Sequence, residues 1–232
     1  EGRTTCSYFY PSGNEILYSS THHHNAACPE NPDFSMGYVW PVYETYDVFA
    51  SNLDGSGLRQ LTTEDGYDAE ATFSPIGDRI VFTSARDGDL ELYSMPPDGS
   101  DVIRLTDRPG YDGGAFYSPD GSKIIWRAHY PEEGPELEDY RRLLSQGLLR
   151  PGELELYIMD ADGSNQQQLT QLGGANFAPY WHPSGEKIVF SSNHHDPDGR
   201  DFEIYMINLD GSGLTRITHA EGFDGFPVFS PD

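Results

Sequence analysis

Residues 66–106, GYDAEATFSPIGDRIVFTSARDGDLELYSMPPDGSDVIRLT, constrain the fold more than any other stretch. They read as four short strands, at 71–73, 79–83, 90–95 and 102–105. Turn chemistry separates them: Ser74-Pro75-Ile76-Gly77, Arg86-Asp87-Gly88 and Pro97-Asp98-Gly99. Each strand is too short to stand alone, so the unit must bury its faces against copies of itself.

The copies are present. An Asp-Gly turn recurs at Asp54, Asp98, Asp162 and Asp210, and a closing pair at Leu61-Thr62, Leu105-Thr106, Leu169-Thr170 and Ile217-Thr218. A turn proline recurs at Pro11, Pro75, Pro119, Pro183 and Pro231, in steps of 64, 44, 64 and 48 residues. The base period is about 44, and two copies carry insertions of about 20 residues. Four strands at this period are the signature of a propeller blade. The expected fold is an all-β propeller in one domain, 1–232. Four complete four-stranded blades run over 4–62, 63–106, 107–170 and 171–218, and 219–232 supplies the inner strand of a fifth, at 226–229. A ring of six or seven blades is expected in total. The pattern is interrupted at Glu1 and at Ser230-Pro231-Asp232, so a chain trimmed at both ends is expected.

The Ser-Pro-Asp-Gly turn, the Asp-Gly-Ser turn and the Leu-Thr closure together resemble the TolB-type propeller repeat of exported bacterial proteins. The resemblance covers nearly the whole chain and is specific for fold rather than function. It implies a periplasmic or extracellular protein. It also implies a disulfide between Cys6 and Cys28, the two cysteines, against the alternative of two separate thiols.

Charge narrows the partners. With 38 acidic and 14 basic residues the net charge is −24. Nucleic acid and anionic membranes need the opposite sign, so neither is expected as a partner. No run of 18 apolar residues suggests membrane insertion. Gly-x-Ser-x-Gly, His-Glu-x-x-His, a phosphate loop and a dinucleotide loop are missing from the sequence.

The insertions fall at 21–45 and 130–152. The first holds His22, His23, His24, Cys28 and several aromatic residues. The second holds Pro135 to Leu144, where acidic residues lead and arginines follow. That pattern predicts a short helix with Leu137, Tyr140 and Leu144 on one side.

The first strand of each propeller blade lines the channel. Aligned on the turn proline, Thr4, Asp68, Asp112, Asn176 and Asp224 share one position. Oxygen ligands there suit a hard cation, and the same residues suit capping of backbone N–H groups; both readings stand. Asp47, Glu91, Glu155 and Glu203 share a second position, read as blade-to-blade hydrogen bonding. The connections between second and third strands carry Arg86, His129, the histidines at 22–24, His194 and His195. The sites expected on that side are a channel mouth of Asp68, Asp112, Asn176, Asp224, Arg86 and His129, and a metal set drawn from His22, His24, His194, Asp196 and Asp198. The cation would be calcium, or a transition metal at the imidazoles.

Three functions fit. A TolB-like role is a non-catalytic module that binds a protein or peptide partner. Similarity to oligogalacturonate lyase implies instead a metal-dependent, carbohydrate-active enzyme. A structural subunit that self-associates through an edge blade is the third.

Overall fold

The computed structural model describes residues 2–230. The turn at Pro231-Asp232 lies outside the described residues. The first repeat forms β1 (Thr4–Phe9), β2 (Glu15–Ser20), β3 (Trp40–Pro41), β4 (Asp47–Asn52) and β5 (Arg59–Gln60). The second forms β6 (Asp68–Phe73), β7 (Ile80–Ser84), β8 (Glu91–Met95) and β9 (Ile103–Arg104). The third holds β10 (Tyr111–Tyr117), β11 (Lys123–His129), α1 (Pro135–Leu144), β12 (Leu148–Leu149), β13 (Glu155–Asp160) and β14 (Gln167–Gln168). The fourth holds β15 (Asn176–Trp181), β16 (Lys187–Ser192), β17 (Glu203–Asn208) and β18 (Thr215–Arg216). Four sheets result, in the order β1-β2-β4-β5, β6-β7-β8-β9, β10-β11-β13-β14 and β15-β16-β17-β18. They are the four-stranded blades of a β-propeller.

Two compact units are formed. Among the described residues, 2–73, 77–113 and 130–151 make the first, and 74–76, 114–129 and 152–230 the second. In the first unit Leu17, Val48, Phe73, Ile80, Phe82 and Met95 share one apolar core. In the second, Ile125, Leu156, Trp181, Ile188, Phe190 and Ile207 do the same. Trp181 keeps its indole N–H satisfied by donating to Phe116 O at 3.0 Å.

The Leu-Thr closure has a physical cause. The Thr62, Thr106, Thr170 and Thr218 hydroxyls accept the amides of Val48, Leu92, Leu156 and Ile204 at 2.8–2.9 Å. Thr170 Oγ1 donates onward to Glu155 Oε2 at 2.5 Å, Thr62 reaches Asp47 at 3.4 Å, and Thr218 bonds Glu203. Arg104 clamps Glu91 at 2.7 Å, and Arg216 clamps Glu203. The carboxylates at this position therefore tie the third strand of a blade to its own fourth strand and closing turn. This corrects the expected blade-to-blade role. Glu155 alone of the four also reaches the next blade, through the amides of Leu172 and Gly173 and the Asn176 side chain.

Consecutive repeats are spliced 22 residues apart. The amides of Asp68, Asp112, Asn176 and Asp224 donate to the carbonyls of Tyr46, Leu90, Leu154 and Phe202 at 2.8–3.0 Å. Two residues past each splice the inner strand carries a left-handed residue: Glu70, Gly114, Ala178 and Phe226, with φ of 58°, 59°, 49° and 57°. Cys6, at φ 51°, holds the same place in the first repeat. The register shifts there, between Thr5 and Tyr8, Ala69 and Thr72, and Phe177 and Tyr180. This is a bulge built into the inner strands β1, β6 and β15. The stretch 226–229 begins in the same way, but it has no ladder partner among the described residues.

Candidate functional site

The two insertions meet. β12 pairs antiparallel with β3, Leu148 opposite Pro41 and Leu149 opposite Trp40. Val39, Leu143 and Leu148 form a small core beneath the pairing. Pro at the first turn, acidic Glu136 and Glu138 near the helix start and Arg141 and Arg142 near its end account for α1. Its buried side chains are Tyr140 and Leu143; Leu144, expected in that row, is half-buried. An offset of one position places Leu143 under the β3–β12 pair instead.

Tyr140 latches α1 to the blade below. Its hydroxyl lies 2.5 Å from Gly110 O and against Asp89 Oδ1. Asp89 also accepts the amides of Leu90 at 2.9 Å and Gly110 at 3.1 Å. Burial and the neighbouring Asp89 push the phenol's pKa far up, so it remains a donor at all ordinary pH.

Below this latch lies a cleft of about 540 Å³, within the range of small-ligand sites. One wall is α1 and its exit, with Arg141, Leu144 and Ser145. The other combines Val42 and Glu44 from the first insertion with Asp65 and Tyr67, and Ala85, Gly88 and Asp89 from the β7–β8 connection form the floor. A second cavity of about 440 Å³ shares Tyr67 and is lined by Arg3, Pro41, Tyr43 and Tyr46. Burial pushes the Tyr46 phenol up to about 12. Both cavities lie within the first unit.

Of the expected channel-mouth residues, Asp68, Asp112 and Asn176 are buried at the splices. Arg86 Nη2 reaches both Asp68 oxygens at 3.1 Å, with Asp68 1% exposed. Burial raises the Asp68 pKa, and Ser84 and Arg86 only partly offset it. Asp112 Oδ1 accepts from the Tyr130 hydroxyl at 2.6 Å. Asn176 donates to Leu154 O at 3.0 Å and accepts from Ser192 at 2.7 Å. His129 Nδ1 donates to Glu153 O at 2.8 Å, and Asp224 is half-buried. The structure thus brings Arg86 to Asp68, while Asp112 Oδ1 and Asn176 Oδ1 accept from the hydroxyls of Tyr130 and Ser192.

Within each unit, the described residues of the expected metal set do not converge as three ligands. His22 packs on Phe49 at 4.4 Å and its pKa is lowered by burial and by His23; His24 is exposed. His194 Nδ1 is turned to Leu172 O at 2.9 Å. Asp196 and Asp198 sit on an exposed turn, where the Asn193 side chain donates to the Pro197 and Gly199 carbonyls at 3.0 and 3.2 Å. An amide therefore uses the oxygens a cation loop would offer. Among the described residues one trio does converge, His195, Asp201 and Glu203. His195 Nε2 lies 3.1 Å from Asp201, while Arg216 and Thr218 hold Glu203 in the lock described above.

Cys6 and Cys28 are not bonded to each other. Both are exposed; Cys6 Sγ lies 3.2 Å from Thr5 Oγ1, and Cys28 Sγ donates to Gly2 O at 3.3 Å. The expected disulfide is corrected accordingly: Cys6 faces the adjacent Thr5 hydroxyl and Cys28 the Gly2 carbonyl.

With this geometry in place, the comparisons with known proteins bear on the whole fold. A family profile for the TolB beta propeller domain matches residues 20–134, and Francisella tularensis subsp. mediasiatica has a Tol-Pal system protein TolB 35% identical over 91 residues. The chain is a TolB-type β-propeller repeat protein. The Francisella match covers 38% of this TolB-type chain and 20% of the relative. TolB from Acinetobacter baumannii superposes with a TM-score of 0.65 at 19% identity, over 93% of this chain and 43% of that one. A putative TolB from Agrobacterium tumefaciens gives 0.62 at 19% identity, over 96% and 83%. At that identity the structural likeness shows the fold. This TolB-type chain spans a fifth of the curated relative's length and under half of the Acinetobacter protein's. No helix among its described residues is long and apolar enough to cross a membrane.

The sequence reading of this TolB-type chain missed Glu44, Asp65, Tyr67, Asp89 and Tyr140 as parts of one site. They come from four segments, and neither spacing nor repeat register links them. The aromatic richness of the first insertion and the tyrosine inside the predicted helix were the available signals.

Proposed function

We propose that this TolB-type chain is a non-catalytic binding module of an exported, periplasmic protein, and that a protein or peptide partner meets it at the cleft under α1. One observation carries the reading. Insertions from two different repeats are knitted by β3 and β12 into a single cap over the β7–β8 connection, leaving a cleft open between them. Variable loops over a rigid scaffold are where binding surfaces lie. The relatives named for the Tol-Pal system support a partner that is itself a protein. The cleft lining offers carboxylates, tyrosines, an arginine and one serine. Ser145 Oγ donates to Arg142 O rather than to a base, so no activated nucleophile is assembled there. We also propose that the four blades belong to a larger ring, because Asp224 and Phe226 repeat the splice and the left-handed residue of the earlier blades.

Site-specific photo-crosslinking tests the face. A crosslinker at Arg141 or Ser145 in the cleft should capture the partner in expressing cells. One at Ser56 or Asp98, on the short Asp-Gly turns, should not. Capture from the turn positions alone would overturn the reading.

A further inference from the structure

We infer that the cleft under α1 takes a basic side chain, a lysine or arginine of an extended partner segment, with a neighbouring residue of that segment lying over the tyrosine-lined cavity. The inference rests on the proposed binding role of this cleft and names the chemistry of what enters it.

Three carboxylates, Glu44, Asp65 and Asp89, line the cleft against one cation, Arg141. Asp89 is already committed to Tyr140 and to two backbone amides. Glu44 and Asp65 are different: among the described residues neither has a hydrogen-bond or ion-pair partner. Their charge is therefore uncompensated at the mouth of a concave site, in a chain of net charge −24. A cleft lined by one sign of charge concentrates the opposite sign.

The tyrosines supply a second, independent argument. Tyr67 lines both cavities, so the two share one wall residue. Tyr67 stands edge-on to Tyr46 at 5.9 Å, and Tyr46 is tilted against Tyr43 at 6.1 Å. Aromatic faces in this chain already gather guanidinium groups: Arg3 lies 5.2 Å over Tyr43, and Arg86 lies 5.0 Å over Tyr93. A ligand cation between Glu44, Asp65 and Tyr67 would meet the same pairing of carboxylate and ring. Two neighbouring cavities of about 540 and 440 Å³ suit two adjacent side chains of a peptide rather than one small ion.

The test uses the intact chain and three short peptides, acetyl-Gly-Arg-Leu-Gly-amide and its counterparts with citrulline or glutamate in place of arginine. Binding is read by isothermal titration calorimetry at low salt. The arginine peptide should bind at least about tenfold more tightly than the citrulline peptide, and the glutamate peptide should not bind. Glu44→Gln with Asp65→Asn should cut arginine-peptide affinity by about tenfold and flatten its salt dependence, with the thermal midpoint unchanged. Equal binding of the three peptides, or full affinity in the double variant, would overturn the inference. Ser145→Trp separates the two levels. If the indole blocks partner crosslinking at Arg141 while the charge variants change nothing, the binding face stands and the basic-residue inference falls.

Discussion

The Tyr140 hydroxyl, carried by α1, lies 2.5 Å from the backbone oxygen of Gly110, in the loop leading to the next inner strand. A helix from one repeat's insertion is thereby fastened to the splice between two blades. Tyr140 itself lines the cleft, so the same residue that fastens the helix forms part of its wall.

Tyr140→Phe should therefore loosen the roof without unfolding the blades. The phenol contributes one shared hydrogen bond to Gly110 O and Asp89, and its loss should cost about 1–2 kcal/mol. Hydrogen exchange should accelerate in α1 and β12 and stay unchanged in β16 and β17. Uniform acceleration would show that the latch supports the whole fold instead.

Arg86→Ala should be strongly pH-dependent. It leaves the Asp68 carboxylate buried without its cation, at a cost of about 3 kcal/mol at neutral pH. Burial already holds the folded Asp68 pKa above its unfolded value. Such a group favours the fold fully below the unfolded pKa, and that contribution is lost as pH rises through the folded pKa. Removing Arg86 raises the folded pKa further. The variant's deficit should thus shrink as pH falls from about 7 toward about 4, measured by urea unfolding. A deficit independent of pH would contradict the buried-carboxylate account.

Thr170→Val should remove the closing lock of the third blade. It strips the acceptor from the Leu156 amide and the donor from Glu155 Oε2 in one change of nearly constant volume. A loss of about 2–3 kcal/mol is expected, with Thr170→Ser restoring most of it. Equal stability of the valine and serine variants would show that the methyl group, not the hydroxyl, matters.

Ala178→Gly should stabilise the chain. Ala178 occupies the left-handed bulge at φ 49°, a place that Gly114 fills in the preceding repeat. Relief of left-handed strain, about 1 kcal/mol, exceeds the cost of the unfolded chain's added flexibility, about 0.5 kcal/mol. The net gain should be about 0.5 kcal/mol, seen as a higher thermal midpoint. A lower midpoint would mean that the methyl group's packing outweighs the strain.

The blades were legible in the sequence because each is a local object. A hairpin turn such as Asp98-Gly99 and a closure such as Leu105-Thr106 are fixed by residues within one period, and repetition multiplies their signal. The bounds of α1, residues 135–144, were equally local, since Pro135, the leading acids and the trailing arginines act within three turns. Tertiary structure decided what joins these pieces. The Arg86–Asp68 contact spans 18 residues and the Tyr140–Asp89 contact 51, and neither distance is a multiple of the repeat. The thiols of Cys6 and Cys28 were placed by a bulge and by an insertion that share no pattern. His194 and His195 follow one another in the turn after β16, yet His194 faces the Leu172 carbonyl and His195 faces Asp201. Local chemistry sets which strands and turns form. Where a loop's side chain ends up depends on packing against residues far away in the chain, and the sequence encodes that only through the finished fold.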